Sequence, residues 1–138
     1  MLTNRSMPRS TVIPVLPYPD IGKAIDWLSS AFGFTLRLRI GDHRAQLNVG
    51  DGAVVLTYHP GFESRDSPHS IMVRVEDADS HYQRATLHGA QVLETPTDHP
   101  YGERQYTVTD LAGHRWKFSQ TITDVAPEDW GGASGELN

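Results

Sequence analysis

Residues 101 to 120, YGERQYTVTDLAGHRWKFSQ, carry His114, Arg115, Trp116 and Lys117 in one uninterrupted run. An imidazole moves protons or ligates a metal, a guanidinium and an ammonium recognise anions, and a desolvated lysine serves as an acid or base. The run therefore reads as the wall of a catalytic site, the wall of a binding pocket, or packing. A second group, His59, Glu63 and His69, supplies the donor types of a His/carboxylate metal site. No helical or hairpin spacing holds these three together, so surface loop residues are the plainer reading. His43 sits in a Gly-Asp-His-Arg turn, and His81 and His88 fall on a helix, exposed or packed at its end. Asp98-His99 precedes Pro100 in a loop that either covers a cleft or is solvated.

The chain has no cysteine, so neither disulfides nor thiolate ligands take part. Gly-x-Ser-x-Gly, Gly-x-x-x-x-Gly-Lys, His-Glu-x-x-His and Gly-x-Gly-x-x-Gly are all absent. The net charge is −5 and no run of Lys or Arg exceeds two, which leaves no electrostatic footprint for nucleic acid. The N-terminal MLTNRSMPRS lacks an apolar signal core and no stretch approaches the length of a membrane span, so a cytoplasmic protein without a membrane partner is expected. A chain of 138 residues is the size of one ordinary domain.

The elements that position these side chains follow from periodicity. Thr11 to Leu16 is β-rich and ends at Pro17, Pro19 and Asp20. Ile21, Ala24, Ile25, Leu28 and Phe32 fall at three- and four-residue steps, with Asp20 as N-cap and Gly33 at the C-terminal position. Extended runs follow at 34–40, 45–49 and 54–58, the last two joined by Gly50-Asp51-Gly52, a hairpin signal. Residues 59–69 read as a linker, after which the pattern restarts. A strand spans 71–75, Asp77 or Asp79 caps a helix ending at Gly89, and strands span 91–94, 105–108 and 115–119.

The halves match in detail. Thirteen positions separate Asp20 from Gly33 and twelve separate Asp77 from Gly89, and QLNVGDGAVVLT lies over QYTVTDLAGHRWK. The expected organisation is an extended or disordered N-terminus (1–10), a first βαβββ module (11–58), a linker (59–69), a second module (70–120) and a tail (121–138) whose Trp130 is an anchor before a mobile end. One helix cannot cover both faces of a four-stranded sheet, so one sheet face per module is left for a ligand or for another sheet.

PYPDIGKAIDWLSSAFGF, VRVEDADSHYQRATLHGAQV and YGERQYTVTDLAGHRWKFSQ resemble the vicinal oxygen chelate superfamily of glyoxalase I, extradiol dioxygenases and bleomycin-resistance proteins over residues 11–120. The Asp-x-x-Gly-His-x-Trp-x-Phe ending resembles its uncharacterised bacterial members and, with the rest of the pattern, its metal-free bleomycin-resistance-like members. The resemblance implies an α+β fold in which two βαβββ modules form a curved mixed sheet around a cleft, commonly within a homodimer. It also implies, in the enzymes, a divalent metal held by His or Glu at one early-strand and one late-strand position per module. Those positions carry Ile13 and Thr57 in the first module and Ser70 and Lys117 in the second. None is a normal metal ligand, and an ammonium repels a cation. No metal site and no cofactor are therefore expected.

Strand alternation directs Ile13, Val15, Gln46, Asn48, Thr57, Ser70, Met72, Arg74, Arg115, Lys117 and Ser119 toward the cleft. It directs Val12, Leu47, Val55, Ile71, Val73, Val75, Trp116 and Phe118 toward the helices. With Tyr101 at the rim, the candidate ligand-binding set is Gln46, Asn48, Thr57, Ser70, Met72, Arg74, Tyr101, Arg115 and Lys117. Glu103 and Arg104 approach the same wall. The competing reading is that Arg74, Arg115 and Lys117 merely pair with the abundant carboxylates. Two functions follow. One is a metal-independent homodimer that sequesters a small organic drug or metabolite. The alternative is a lyase or dioxygenase of the same superfamily, with displaced metal ligands or with Lys117 as acid or base. A purely structural module would lack a cleft of ligand size.

Overall fold

The structure is a computed structural model and describes residues 1–64 and 67–138. The first module runs β1 (Val15–Tyr18), α1 (Ile21–Phe32), β2 (Thr35–Ile40), β3 (Arg44–Val49) and β4 (Gly52–Tyr58). The second repeats it as β5 (Ser70–Arg74), α2 (Ala78–Leu87), β6 (Gln91–Asp98), β7 (Glu103–Thr109) and β8 (Arg115–Thr121), and a short 3₁₀ turn follows at Pro127–Trp130. Each module closes a four-stranded mixed sheet, in the orders β1-β4-β3-β2 and β5-β8-β7-β6. In each the first strand runs parallel to the last, and the remaining pairs are antiparallel.

The helix ends follow the local chemistry. Asp20 and Asp77 are extended, and their side chains accept from the backbone N–H of Lys23 and Ser80. That satisfies one otherwise orphaned donor at each helix start. Gly33, at φ 78°, closes α1 in the left-handed region that a side chain resists. Its amide donates to the Ser29 carbonyl.

Two strand boundaries differ from expectation. β1 starts at Val15 rather than Thr11 and continues through Pro17 to Tyr18. Pro14 has no N–H to donate and contributes only its carbonyl, which accepts from Val55 N at 2.9 Å. Pro17 is tolerated because β1 is an edge strand. For the same reason β6, the other sheet's edge, passes through Pro96 to Asp98 instead of ending at Glu94, with register shifts on both sides of Glu94.

Helices and inner sheet faces share one core. Leu28 and Phe32 from α1, Leu47 and Leu56 from the first sheet, and Tyr106, Val108, Trp116 and Phe118 from the second belong to a single buried cluster. The Phe32 ring lies edge-on to Phe118 at 4.8 Å and to Trp116 at 5.6 Å, which couples the modules by aromatic packing. Val55 does not join this face. It pairs in register with Val15 and Gln46, on the opposite side of β4 from Val54 and Leu56, because residues 55 and 57 share one parity of the pleat.

A polar latch ties the modules together at the β7–β8 turn. The buried Asp110 carboxylate accepts from Tyr18 Oη at 2.6 Å, Trp116 Nε1 at 3.0 Å, and the backbone amides of Ala112 and His114 at 3.0 Å each. Burial, reinforced by this carboxylate, holds the Tyr18 hydroxyl well above its usual range. His114 Nε2 donates to the Pro17 carbonyl at 2.7 Å, so the turn grips β1 at two points. His81 packs between the helices rather than at an exposed end. Its Nε2 donates to the Phe32 carbonyl at 3.0 Å, which leaves Nδ1 to accept from the Tyr106 hydroxyl. No helix among the described residues is long and apolar enough to cross a membrane.

Candidate functional site

The pairing register lays the outward side chains of the second sheet in rows. Gln91, Thr109, Arg115 and Ser70 form one row from β6 through β7 and β8 to β5. Glu94, Thr107, Lys117 and Met72 form the next, and Thr97, Gln105, Ser119 and Arg74 the third. Ser70, Met72, Arg74, Arg115 and Lys117 thus share one face of one sheet, and Trp116 and Phe118, of opposite parity, are fully buried on the other.

The first-sheet candidates are separated from these and already engaged. Gln46 is buried, its Oε1 accepting from Arg37 Nη1 at 2.8 Å and its Nε2 donating to the Ser6 carbonyl at 3.0 Å. Arg37 Nη2 also donates to the carbonyls of Arg5 and Met7. The N-terminal residues, which contain no helix or strand, are therefore pinned over the first sheet. Asn48 donates to Thr35 Oγ1 at 3.2 Å, and the Thr57 hydroxyl points at the Leu16 carbonyl at 3.4 Å.

Tyr101 belongs to the rim of the second sheet. Its hydroxyl donates to Gln105 Oε1 at 2.9 Å. Gln105 Nε2 donates to Ser119 Oγ at 3.0 Å, and Ser119 Oγ to Glu103 Oε1 at 2.7 Å. The Trp130 ring lies 5.0 Å from Tyr101, so the tail is anchored at this point, and His99 stacks on Tyr101 at 5.1 Å. Partial burial, then the charges of Glu94 and Glu103, push the Tyr101 hydroxyl up. Arg104 turns away and pairs with Asp79 and Asp98 at 3.0 and 2.9 Å.

Two cavities open on the second sheet's Arg115 side. One of about 360 Å³ is lined by Pro68, Ser70, Leu93, Glu94, Thr107, Arg115 and Lys117. The other, of about 370 Å³, lies along the seam between β1 and β5 and includes Pro17, Phe62, His69, Ser70, His114 and Arg115. Arg115 Nε and Glu94 Oε1 are both buried without a hydrogen-bond partner. Among the described residues no carboxylate lies within 4.0 Å of the cations of Arg74, Arg115 or Lys117. Pairing with carboxylates of the described residues therefore does not account for these three.

The residues at the four positions that the resemblance assigns to a metal do not have the chemistry of metal ligands. Ile13 offers only methyl groups, the Thr57 hydroxyl is turned to a carbonyl, and Ser70 and Lys117 stand on adjacent strands as a hydroxyl and an ammonium. Among the described residues no three His, Asp or Glu side chains converge on a common point. His69 and His114 border the seam cavity, and the His114 ring is committed to Pro17 and stacked on Phe62.

Glu94 and Thr107 were not among the sequence candidates, although they line the same cavity as Lys117. Alternation within β7 could have found Thr107, two residues from Gln105. Glu94 was hidden by the two register shifts that flank it, since a bulge breaks the parity on which facing is read.

The fold matches solved structures along most of its length. TioX from Micromonospora sp. ML1 is 38% identical, covers 82% of this chain and 99% of its own, and superposes with a TM-score of 0.68. The bleomycin resistance determinant encoded on transposon Tn5 is 20% identical with a TM-score of 0.67, covering 83% of this chain and 99% of its own. A bleomycin-binding protein solved with bleomycin is 21% identical, with a TM-score of 0.65 and coverage of 80% and 98%. The last two show the shared vicinal oxygen chelate fold alone. Among curated proteins, the uncharacterized Mb0911c of Mycobacterium bovis and Rv0887c of Mycobacterium tuberculosis are each 33% identical over 110 residues, 80% of this chain. The match spans 66% and 59% of those relatives' lengths. The model of the Glyoxalase/Bleomycin resistance protein/Dioxygenase superfamily matches residues 11–118, and the chain belongs to that superfamily.

Proposed function

We propose that this chain is a metal-independent cytoplasmic binding protein that sequesters a small organic drug or metabolite against the outward face of its second sheet. The observation that carries the reading is Lys117, an ammonium without a carboxylate partner among the described residues, at the position where the fold family's enzymes hold a metal ligand. Ser70, Arg115 and Lys117 form the wall of the site, with Met72, Arg74 and Tyr101 around it, while Asn48 and Thr57 face it from the first sheet of a second copy in a homodimer; Gln46, covered by the N-terminal segment, backs that sheet. Val12, Val15 and Met72 are more than half exposed along the β1 and β5 edges, apolar surface that a second copy would cover. The structural relative solved with bleomycin supports a small-molecule role.

Elemental analysis of the purified, dialysed chain tests this directly. The expected result is Ni, Zn, Fe and Mn far below one equivalent, and near-stoichiometric retention of any of them refutes it. Light scattering should give twice the chain mass. The unpaired Lys117 also favours a second reading, acid–base catalysis in the same cavity. Under that reading Lys117→Met abolishes turnover of a substrate while leaving its affinity unchanged; under the first, it weakens affinity.

A further inference from the structure

The outward face of the second sheet gathers one carboxylate and two cations around a cavity of about 360 Å³ without letting them pair. The register explains why. Glu94 on β6 and Lys117 on β8 both stand opposite Thr107 on β7, so their backbones are two strand spacings apart, about 10 Å. Arg115 is one pleat further along β8, opposite Thr109 and Ser70. Threonine in the middle is too short to bridge the two charges, and no other described residue does so. Glu94 Oε1 and Arg115 Nε are the consequence: a buried acceptor and a buried donor, each without a partner, in the wall of the same cavity.

An unpaired buried polar group costs free energy that a matching ligand group recovers. A simple anion would satisfy Arg115 and Lys117 but would leave Glu94 unpaired and set a like charge near it. A simple cation would satisfy Glu94 and leave Arg115 unpaired, beside the ammonium of Lys117. One class of ligand satisfies both sides: a molecule with a cationic donor and a carboxylate close together. Leu93 and Pro68 complete the cavity with apolar surface, so the molecule also has an apolar body. We propose that this cavity recognises a small apolar zwitterion such as an α-amino acid or an amino-acid-like unit of a larger compound, with its carboxylate toward Lys117 and Arg115 and its ammonium toward Glu94. The inference rests on the binding reading above and names its ligand class.

Four matched probes test it on the isotope-labelled full chain, followed by amide shifts of β6, β7 and β8: L-phenylalanine, 3-phenylpropanoate, phenethylamine and 3-phenylpropan-1-ol. Phenylalanine is expected to bind at least about ten-fold more tightly than each of the others, the scale of one charge-assisted hydrogen bond. Glu94→Gln should remove its advantage over 3-phenylpropanoate, and Lys117→Met its advantage over phenethylamine, with the amide spectra of both variants reporting an intact fold. Equal affinity for phenylalanine and 3-phenylpropanoate in the unaltered chain, or phenylalanine affinity unmoved by Glu94→Gln, overturns the zwitterion assignment. If the uncharged alcohol binds as tightly as the amino acid, a small-molecule site stands and its charge recognition falls. Absence of shifts with all four probes also overturns the assignment, while the metal analysis still judges the binding reading on its own.

Discussion

Replacing Asp110 with asparagine should destabilise the chain by an amount set by four hydrogen bonds. One carboxylate oxygen, Oδ1, accepts from the Ala112 and His114 amides, and the other, Oδ2, accepts from Tyr18 Oη and Trp116 Nε1. All four partners donate, so an amide cannot satisfy the site in either orientation. If its oxygen keeps the turn, its NH₂ faces the Trp116 N–H, which cannot reverse. Tyr18 alone can adapt, by rotating its hydroxyl to accept. The loss of one charge-assisted bond, the weakening of two others and an unpaired indole N–H together cost about 3 kcal/mol. For a chain of this size that lowers the melting temperature by about 10 °C. Tyr18→Phe removes a single bond to the same oxygen and should cost about half as much. Urea unfolding followed by tryptophan fluorescence measures both, and the double variant closes a thermodynamic cycle. Because Asp110 and Tyr18 lie on different modules, a coupling above about 1 kcal/mol reports the latch between them. Additive effects, or an Asp110→Asn cost below about 0.5 kcal/mol, would refute the account of a carboxylate holding β1 to the β7–β8 turn.

The half-buried His81 predicts a pH dependence. Burial holds its imidazolium pKa below the usual 6.5, so the unfolded chain binds more protons there than the folded one. Stability should therefore fall as the pH drops below 6.5, flattening once the folded-state pKa is passed, and His81→Gln should reduce that slope in urea midpoints taken from pH 7.5 downward. A third expectation concerns the β6–β7 turn. Gly102 has φ 85°, and a Cβ there would sit 2.3 Å from the Thr123 carbonyl oxygen, so Gly102→Ala should cost about 2–4 kcal/mol in the same unfolding assay. A cost near zero would mean that the tail does not close on this turn.

Most of the architecture was legible because it is written in local chemistry. Asp20 and Gly33 bracket α1, Asp77 starts α2, and the Val-x-Asp repeat at 49–51 and 108–110 announces two copies of one module. These signals depend on capping, turn geometry and side-chain period, all of which act within a few residues. Alternation likewise separates Trp116, fully buried, from Arg115 and Lys117 on the other face, whereas His114, one residue before β8, borders the seam cavity together with Arg115. Its failures have local causes too. Val55 lies on the face opposite to the expected one, since it shares parity with Thr57, and the facing of Glu94 is not legible because register shifts on either side of it interrupt the period.

What no local rule reaches is which side chains meet. The two Val-x-Asp turns are alike in sequence, yet Asp51 is exposed while Asp110 is buried under Tyr18, 92 positions away. Gln46 has the same strand pattern as a pocket residue but is taken by the carbonyl of Ser6. Glu94 on β6 and Arg115 and Lys117 on β8 are brought to one cavity by the register of two strand pairings, unpaired among the described residues. The sequence alone determined the modules and the cation at position 117, since those follow from residue type and spacing. The tertiary structure decided which polar groups are left to meet a ligand, because that depends on every other contact the chain has already made.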